Sequence, residues 1–448
     1  MARIGLIGEN SIEYVNHLLD IWNNGDCAVL IDWRIPIATA LEMMQEAGVR
    51  VCYIETGKYD IPINSHKTNF IVYERKSNSA KPLPVGIHCK YKENYSCDEA
   101  VILYSSGTTG KEKGIILSHY AISTNADAII DYMQPSASDC IYIAKALSHS
   151  SALTGELMVA LKAKMKLIIA PTVVPPRFIL QNIDEFGVSI MCLNPTLLQM
   201  LVREYKTGKY SMQSLKTIYV SGSILNDKLY KEAHSVLENI AIYNVYGLSE
   251  AGPRVTAQHI GCCKNNSAGK PIKGVEIGIV DSEGNLVKRG ERGIVHVNTP
   301  SRFCGYITGN GKNKSLYRDW LNTGDVGFID RNDELHIVER IDDVIIIDSH
   351  KIYPSEVENA ILENSSIECC VVSKIELSHK EYICCVYSGE KENVILLKQK
   401  LLRILISYEI PRYWVNCDSI PSTMNGKPRK SEMQKLFAKS SSKEVSVI

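Results

Sequence analysis

Tyr104-Ser-Ser-Gly-Thr-Thr-Gly-Lys-Glu-Lys-Gly114 places four Ser/Thr hydroxyls, three glycines and two lysines in eleven residues, between the apolar runs Ala100-Val-Ile-Leu103 and Ile115-Ile-Leu117. Glycines let backbone N–H groups face phosphate oxygens, hydroxyls add donors, and Lys111 or Lys113 supplies charge. The stretch reads as a phosphate loop between two strands, suited to a triphosphate; a Ser/Gly-rich surface hairpin would have the same composition. Gly107-Thr-Thr-Gly-Lys111 is too short between its glycines for the G-x-x-x-x-G-K-S/T loop of P-loop nucleotidases.

On both sides of the loop, β-branched segments alternate with segments of helical period: Ile4–Leu6 then Ser11–Asn23, Ala100–Tyr104 then His119–Tyr132, Lys166–Ile169 then Pro176–Glu185. That alternation predicts an α/β fold of parallel sheets covered by helices. Asn10 or Ser11 is placed to cap the first helix, whose apolar stripe is Ile12, Val15, Leu18, Leu19 and Trp22. From about Ser267 to Asp348 the pattern shifts to short strands with Gly-rich turns. Beyond it, Pro354–Glu363 reads as a helix, Cys369–Ser373 and Ile383–Tyr387 as strands, and Val394–Ser407 as a helix, a compact α+β unit. The run Ser440–Ile448 reads as a frayed end.

The 448 residues carry 50 Lys+Arg against 50 Asp+Glu, so there is no basic field to hold nucleic acid or an anionic membrane. Apolar runs such as Val344–Ile347 fall far short of the ~20 residues that span a bilayer, and the reading is a soluble cytoplasmic protein. Fourteen cysteines, with adjacent pairs at 262–263, 369–370 and 384–385, form neither a disulfide framework nor a C-x-x-C metal site, and reduced structural thiols are expected.

The loop resembles the S/T-S-G-T-T-G-x-P-K-G signature of the acyl- and aryl-adenylating enzymes, the superfamily of acyl-CoA synthetases, adenylation domains and firefly luciferase. Four further segments match in the family's order: Asn244-Val-Tyr-Gly-Leu-Ser-Glu250, Thr323-Gly-Asp325, Glu339-Arg-Ile-Asp-Asp343 and Asn425-Gly-Lys427. The resemblance spans residues 2 to 437 and implies a large N-terminal domain of layered α/β subdomains plus a strand-rich portion, residues 1–339. A small mobile α+β C-terminal domain, residues 340–448, would turn about Asp342. It also implies ATP and Mg²⁺. Ser105, Ser106, Gly107, Thr108, Thr109, Gly110 and Lys113 would hold the phosphates, and Glu250 the metal. Gly222, Ser223, Asn244, Tyr246, Gly247 and Ser249 would line the adenine side, with Tyr246 stacking on the base. Asp325 and Arg340 would take the ribose. Lys427 would bridge the substrate carboxylate and the α-phosphate as charge develops, so Lys427, Glu250 and Lys113 are the expected catalytic set. His149, Ser221 and Leu248 would border the acyl pocket.

The chain departs from the family pattern in several places. Glu112 stands where proline is usual, which predicts a solvent-side change, and Glu339 where glycine precedes the ribose arginine. Asp348-Ser349 occupies the place of a Gly-Gly pair that resemblance sets beside the pantetheine path. Family members usually have several dozen residues before the strand at Ala2–Ile7, so a supporting helix and strand are expected to be missing or replaced by a partner surface. Between Ala146 and Leu157 no Asp is present to meet an α-amino group, although Glu156 lies in that window. A plain aryl or acyl acid is therefore favoured over an amino acid. The expected reaction is ATP-dependent formation of an acyl-adenylate with release of pyrophosphate, then transfer to a thiol, CoA ahead of the phosphopantetheine of a carrier protein. The alternatives are a carrier-loading enzyme, a luciferase-like oxidation and a non-catalytic nucleotide- or acyl-binding protein.

Overall fold

The computed structural model describes residues 1–59, 68–84, 96–106, 112–172, 174–259, 267–307, 316–317, 320–348, 350–377, 380–421, 432–440 and 445–447. Five strands, Asn69–Tyr73, Val51–Glu55, Arg3–Gly8, Cys27–Asp32 and Glu99–Ser106, run parallel as neighbours in the first sheet. Glu112–Ser118 and Gly305–Tyr306 extend it antiparallel. The second sheet has five parallel strands at its centre: Ala241–Gly247, Thr217–Val220, Ile190–Leu193, Cys140–Ile143 and Lys166–Ile169. Arg254–Ala257 then turns back against Ala241–Gly247.

Strands buried on both faces need helices on both sides, and the apolar clusters supply them. One cluster joins the facing surfaces of both sheets to the helices Ile12–Asn23 and His119–Met133 and to the π-helix Leu153–Met158. The outer face of the first sheet packs on Ile37–Glu46, and that of the second on Pro176–Phe186, Pro195–Tyr205 and Asp227–Val236. Ser11 caps the first helix, accepting the Tyr14 N–H at 3.0 Å. Asn10 instead ties the first strand's end to the second sheet, accepting the Leu147 N–H at 2.9 Å and donating to the Lys145 carbonyl at 2.7 Å.

The strand-rich stretch forms the expected antiparallel sheet, Glu276–Val280, Gly293–Asn298, Trp320–Ile329 and Leu335–Arg340. After it, Pro354–Asn364 and Val394–Leu401 cover a sheet of Cys369–Leu377, Lys380–Ser388 and Tyr413–Cys417, with two apolar clusters drawn only from residues 345–437. Two expectations are corrected. Val445–Val447 is no frayed end: it pairs antiparallel with Tyr413–Val415. The helix at Val394 stops at Leu401, the last residue on its buried stripe, and not at Ser407. Among the described residues, no helix is long and apolar enough to cross a membrane.

Candidate active site

The phosphate loop closes a hairpin. Glu99–Ser106 and Glu112–Ser118 pair so that Ser105 faces Lys113 and Ser106 faces Glu112. Gly107, Thr108, Thr109, Gly110 and Lys111, the Ser106 side chain, Lys427 and Ser349 lie outside the described residues. Glu112 is half-buried, and its carboxyl is pushed up by burial and by the charge of Asp32. The solvent-side position expected for Glu112 is thus corrected: it is half-buried, within reach of the Asp32 charge.

The segment Asn244–Glu250 carries two side-chain arrays. At its end, Glu250 sits on a short 3₁₀ turn, Ser249–Ala251, and its Oε1 accepts the Tyr306 hydroxyl at 2.9 Å. The Lys113 ammonium lies 5.8 Å from the centroid of the same Tyr306 ring. Lys113, Tyr306 and Glu250 therefore form one chain across the edge of the first sheet. At the start of the segment, the Tyr246 hydroxyl donates to Asp325 Oδ2, and burial, then the Asp325 charge, pushes that phenol well above its ordinary range. Asp325 Oδ1 accepts from Arg340 Nη1 at 2.8 Å, and Nη1 also reaches the Thr323 carbonyl at 2.9 Å. Gly324, at φ +72°, lets the guanidinium come close, since a Cβ there would lie 3.1 Å from Arg340 Nη2. Gly247 is fixed by contact: a Cβ would stand 1.8 Å from the Pro253 carbonyl oxygen.

A family model described as AMP-binding enzyme matches residues 2–307. The chain belongs to the AMP-binding enzyme family. The Streptomyces coeruleorubidus fatty acid–[acyl-carrier-protein] ligase ScoC is 25% identical, over 99% of this chain and 88% of its own. The Enterococcus faecalis 2-succinylbenzoate–CoA ligase is 25% identical over 95% and 86%. The crystal structure of ATP-bound MatB from Rhodopseudomonas palustris superposes with a TM-score of 0.86 at 21% identity, covering 98% of this chain and 89% of that one, a likeness of fold. The chain is accordingly an AMP-forming ligase of this family.

The remaining expected residues of this AMP-binding enzyme divide in two. Asn244 donates its amide to the Ser267 carbonyl at 3.0 Å, and its backbone N–H meets the Gln258 side chain at 2.9 Å, so it is held as part of the wall. Gly222, at φ +98°, and Ser223 are exposed, while Ser221 is buried and Leu248 packs on the core. Ser249 is joined to Ser150 by hydroxyls 2.8 Å apart, which brings the segment after His149 against the Glu250 turn. The His149 Nε2 lies 3.9 Å from Asp32 Oδ2, and Asp342 is exposed in the 3₁₀ turn Ile341–Asp343.

Sequence reasoning missed Tyr306, Asp32 and Arg34. Asp32 is gripped side-on by Arg34, Nε to Oδ1 at 2.9 Å and Nη2 to Oδ2 at 2.6 Å. Burial pushes the Asp32 carboxyl up, but the Arg34 hydrogen bonds and charge prevail and hold it below its usual range. No local motif marks these residues; only the sheet edge that joins residues 115–116 to 305–306 brings Tyr306 to Glu250.

Proposed function

We propose that this chain activates a carboxylic acid, aryl or acyl, by joining it to the AMP part of ATP with release of pyrophosphate, and passes the acyl group to the thiol of CoA. The observation that carries the reading is that one seven-residue segment, Asn244–Glu250, holds the Lys113–Tyr306–Glu250 chain at one end and the Tyr246–Asp325–Arg340 set at the other. The first suits a magnesium-bound polyphosphate, the second a nucleoside.

Mg²⁺ takes one or two carboxylates and fills its shell with phosphate oxygens and water. Glu250, with one oxygen committed to Tyr306, fits that role, and among the described residues no three-carboxylate cage competes for the ion. Bound there, the metal would neutralise polyphosphate charge. Asp325 and Arg340 would orient the ribose hydroxyls, Tyr246 the base, and Ser105 to Lys113 the phosphates. Lys427 would stabilise the charge that gathers between the carboxylate and the α-phosphate. The Glu156 carboxylate is engaged by Lys145 at 2.8 Å, which leaves no acid in that window to meet an α-ammonium and favours a plain acid over an amino acid. Residues 1–339 and 340–448 are assigned as the large and the C-terminal domain, with Asp342 as the hinge between the two half-reactions.

The test is pyrophosphate release with ATP, Mg²⁺ and pooled carboxylic acids, repeated with CoA, with a phosphopantetheinylated carrier protein, and with Lys427→Ala. Acid-dependent release that falls at least ~10²-fold in Lys427→Ala, the scale of losing a preorganised charge-stabilising group, supports the reading. Full release by that variant removes Lys427 from the mechanism. Acyl transfer to the carrier protein but not to CoA would replace the acceptor.

A further inference from the structure

Parallel sheets collect their ligands outside the carboxyl ends of their strands, and here those ends of the two sheets are tied together. Asp32 closes the first-sheet strand Cys27–Asp32, and His149 lies in the loop after the second-sheet strand Cys140–Ile143. Asn10, just past Arg3–Gly8, pins that loop at Lys145 and Leu147. Across the junction His149 Nε2 stands 3.9 Å from Asp32 Oδ2. The imidazole is 31% exposed and so can be reached from outside, whereas the Asp32 carboxylate is buried. The His149 N–H donates to the Ala146 carbonyl at 3.0 Å, and the next residue, Ser150, is joined to Ser249 at 2.8 Å. The ring is thus fixed between the two sheets, beside the turn that carries Glu250.

Asp32 is built to stay charged. Arg34 grips both its oxygens and adds its backbone N–H to Oδ1 at 3.0 Å, and the charge of a protonated His149 pulls in the same direction. The other charges at the junction come from three elements. Glu112 on the phosphate hairpin feels the Asp32 charge, Glu9 acts on Arg34, and Lys145 is taken by Glu156 at 2.8 Å. A carboxylate beside one ring nitrogen favours the tautomer with its hydrogen on that nitrogen, here Nε2, and leaves the lone pair on Nδ1. At 3.9 Å the two groups are about 1 Å beyond a hydrogen bond, and such contacts tighten when the reactants are in place.

Transfer of the acyl group needs a thiolate, and a thiol of ordinary pKa, about 8.5, is only about 3% ionised at pH 7. We propose that His149 is the general base of the transfer step and that Asp32, held by Arg34, is its positioning residue. As the S–H bond breaks, the proton goes to His149 Nδ1 and the sulfur electron pair forms the bond to the acyl carbon. The bond from that carbon to the phosphate oxygen breaks, AMP leaves with its electron pair, and Nδ1 returns its proton to water. The Asp32 charge stabilises the imidazolium in between. This rests on the ligase reading given above, for which it supplies the proton acceptor of the second half-reaction.

The test supplies the acyl-adenylates of hexanoate, benzoate and any acid that supports pyrophosphate release, with CoA or a phosphopantetheinylated carrier protein. Thioester formation is read in single turnovers across pH on the wild type, His149→Gln and Asp32→Asn. Without the base, transfer depends on thiolate already present, about 3% at pH 7 and about 90% at pH 9.5. His149→Gln should therefore be slower than the wild type about thirtyfold at pH 7 and less than about threefold at pH 9.5. A loss of equal size at both pH values makes His149 a wall of the pocket, and no loss at pH 7 makes it a bystander; either result overturns the proposal. In Asp32→Asn the rate should rise to a lower plateau and at lower pH than in the wild type, because no carboxylate favours the imidazolium; an unmoved rise overturns the part given to Asp32. His149 is half-exposed, so His149→Gln reads the base even if Asp32→Asn does not fold. Acid-dependent pyrophosphate release tests the ligase reading by itself. If it is absent while supplied acyl-adenylate still gives a pH-dependent loss in His149→Gln, the ligase reading fails and the base stands; supplied acyl-adenylate that reaches neither thiol overturns the base.

Discussion

Tyr306 shows how much one hydroxyl can decide. It gives Glu250 its hydrogen bond at 2.9 Å and offers its ring face to Lys113, yet nothing in the sequence around it suggests a role. Tyr306→Phe keeps the ring and removes the donor. A hydrogen bond to a charged group contributes about 1.5–3 kcal/mol, so acid-dependent pyrophosphate release should fall about tenfold or more, with a higher Mg²⁺ half-saturation. A variant with wild-type magnesium dependence would leave Glu250 positioned by the 3₁₀ turn alone. Gly247 makes the opposite case, a motif residue whose need is steric. With the Pro253 carbonyl 1.8 Å from where a Cβ would sit, Gly247→Ala should cost at least about 3 kcal/mol of stability by denaturant titration, whatever happens to nucleotide affinity.

Elements were legible where local signals and burial agree. Ser11 caps Ile12–Asn23 as its residue type and place suggested, and Ser11→Ala should lose about 1 kcal/mol in a denaturant midpoint measurement. Helix period and strand composition likewise located His119–Met133, Pro176–Phe186 and Pro354–Asn364 to within a residue or two. The end of the helix at Val394 was misread because Leu402, Ile404 and Ile406 continue an apolar pattern that the structure leaves exposed. The strand Val445–Val447 was invisible because its stability comes from a partner about thirty residues earlier, Tyr413–Val415, and a three-residue strand carries no period of its own. Burial also sets a pH response at the start of one helix. His119, buried against Trp22, is held down to about 4 by desolvation, with Asp98 pulling the other way. An unfolded histidine takes its proton near 6.5, so the folded state loses ground as pH falls from about 6.5 toward 4 and recovers nothing above that window. His119→Gln should lessen the drop in stability between pH 7.5 and 5 by up to about 2 kcal/mol; a parallel drop in both proteins would assign it to other groups.

At the scale of the whole molecule, the site was legible as a set of types and not as a set of contacts. The motifs put Glu250, Tyr246, Asp325 and Arg340 on one list, but their pairing with Tyr306 and with one another comes from strands that meet only in the fold. The same holds for Glu339, legible as a departure from glycine and not as a clamp. It is buried, takes the Arg340 N–H at 3.1 Å on one oxygen, and takes the Ser355 N–H at 2.9 Å and hydroxyl at 2.6 Å on the other. It thereby ties the end of the antiparallel sheet to the first turn of Pro354–Asn364, across the turn that holds Asp342. Arg292 with Glu356 at 2.7 Å and Lys228 with the Ile367 carbonyl at 2.8 Å lie on the same seam. An exposed ion pair such as Arg292–Glu356 holds weakly, whereas a buried carboxylate that accepts three hydrogen bonds holds strongly. If residues 340–448 turn about Asp342 between adenylation and thioester formation, this clamp belongs to one arrangement and opposes the other. Ser355→Ala removes one charged hydrogen bond and should slow the half-reaction served by this arrangement about five- to tenfold while sparing the other. Pyrophosphate release with a hydroxylamine trap reads the first half-reaction, and acyl transfer from preformed acyl-adenylate reads the second. Equal slowing of both would make the seam a fixed joint and move the hinge away from Asp342.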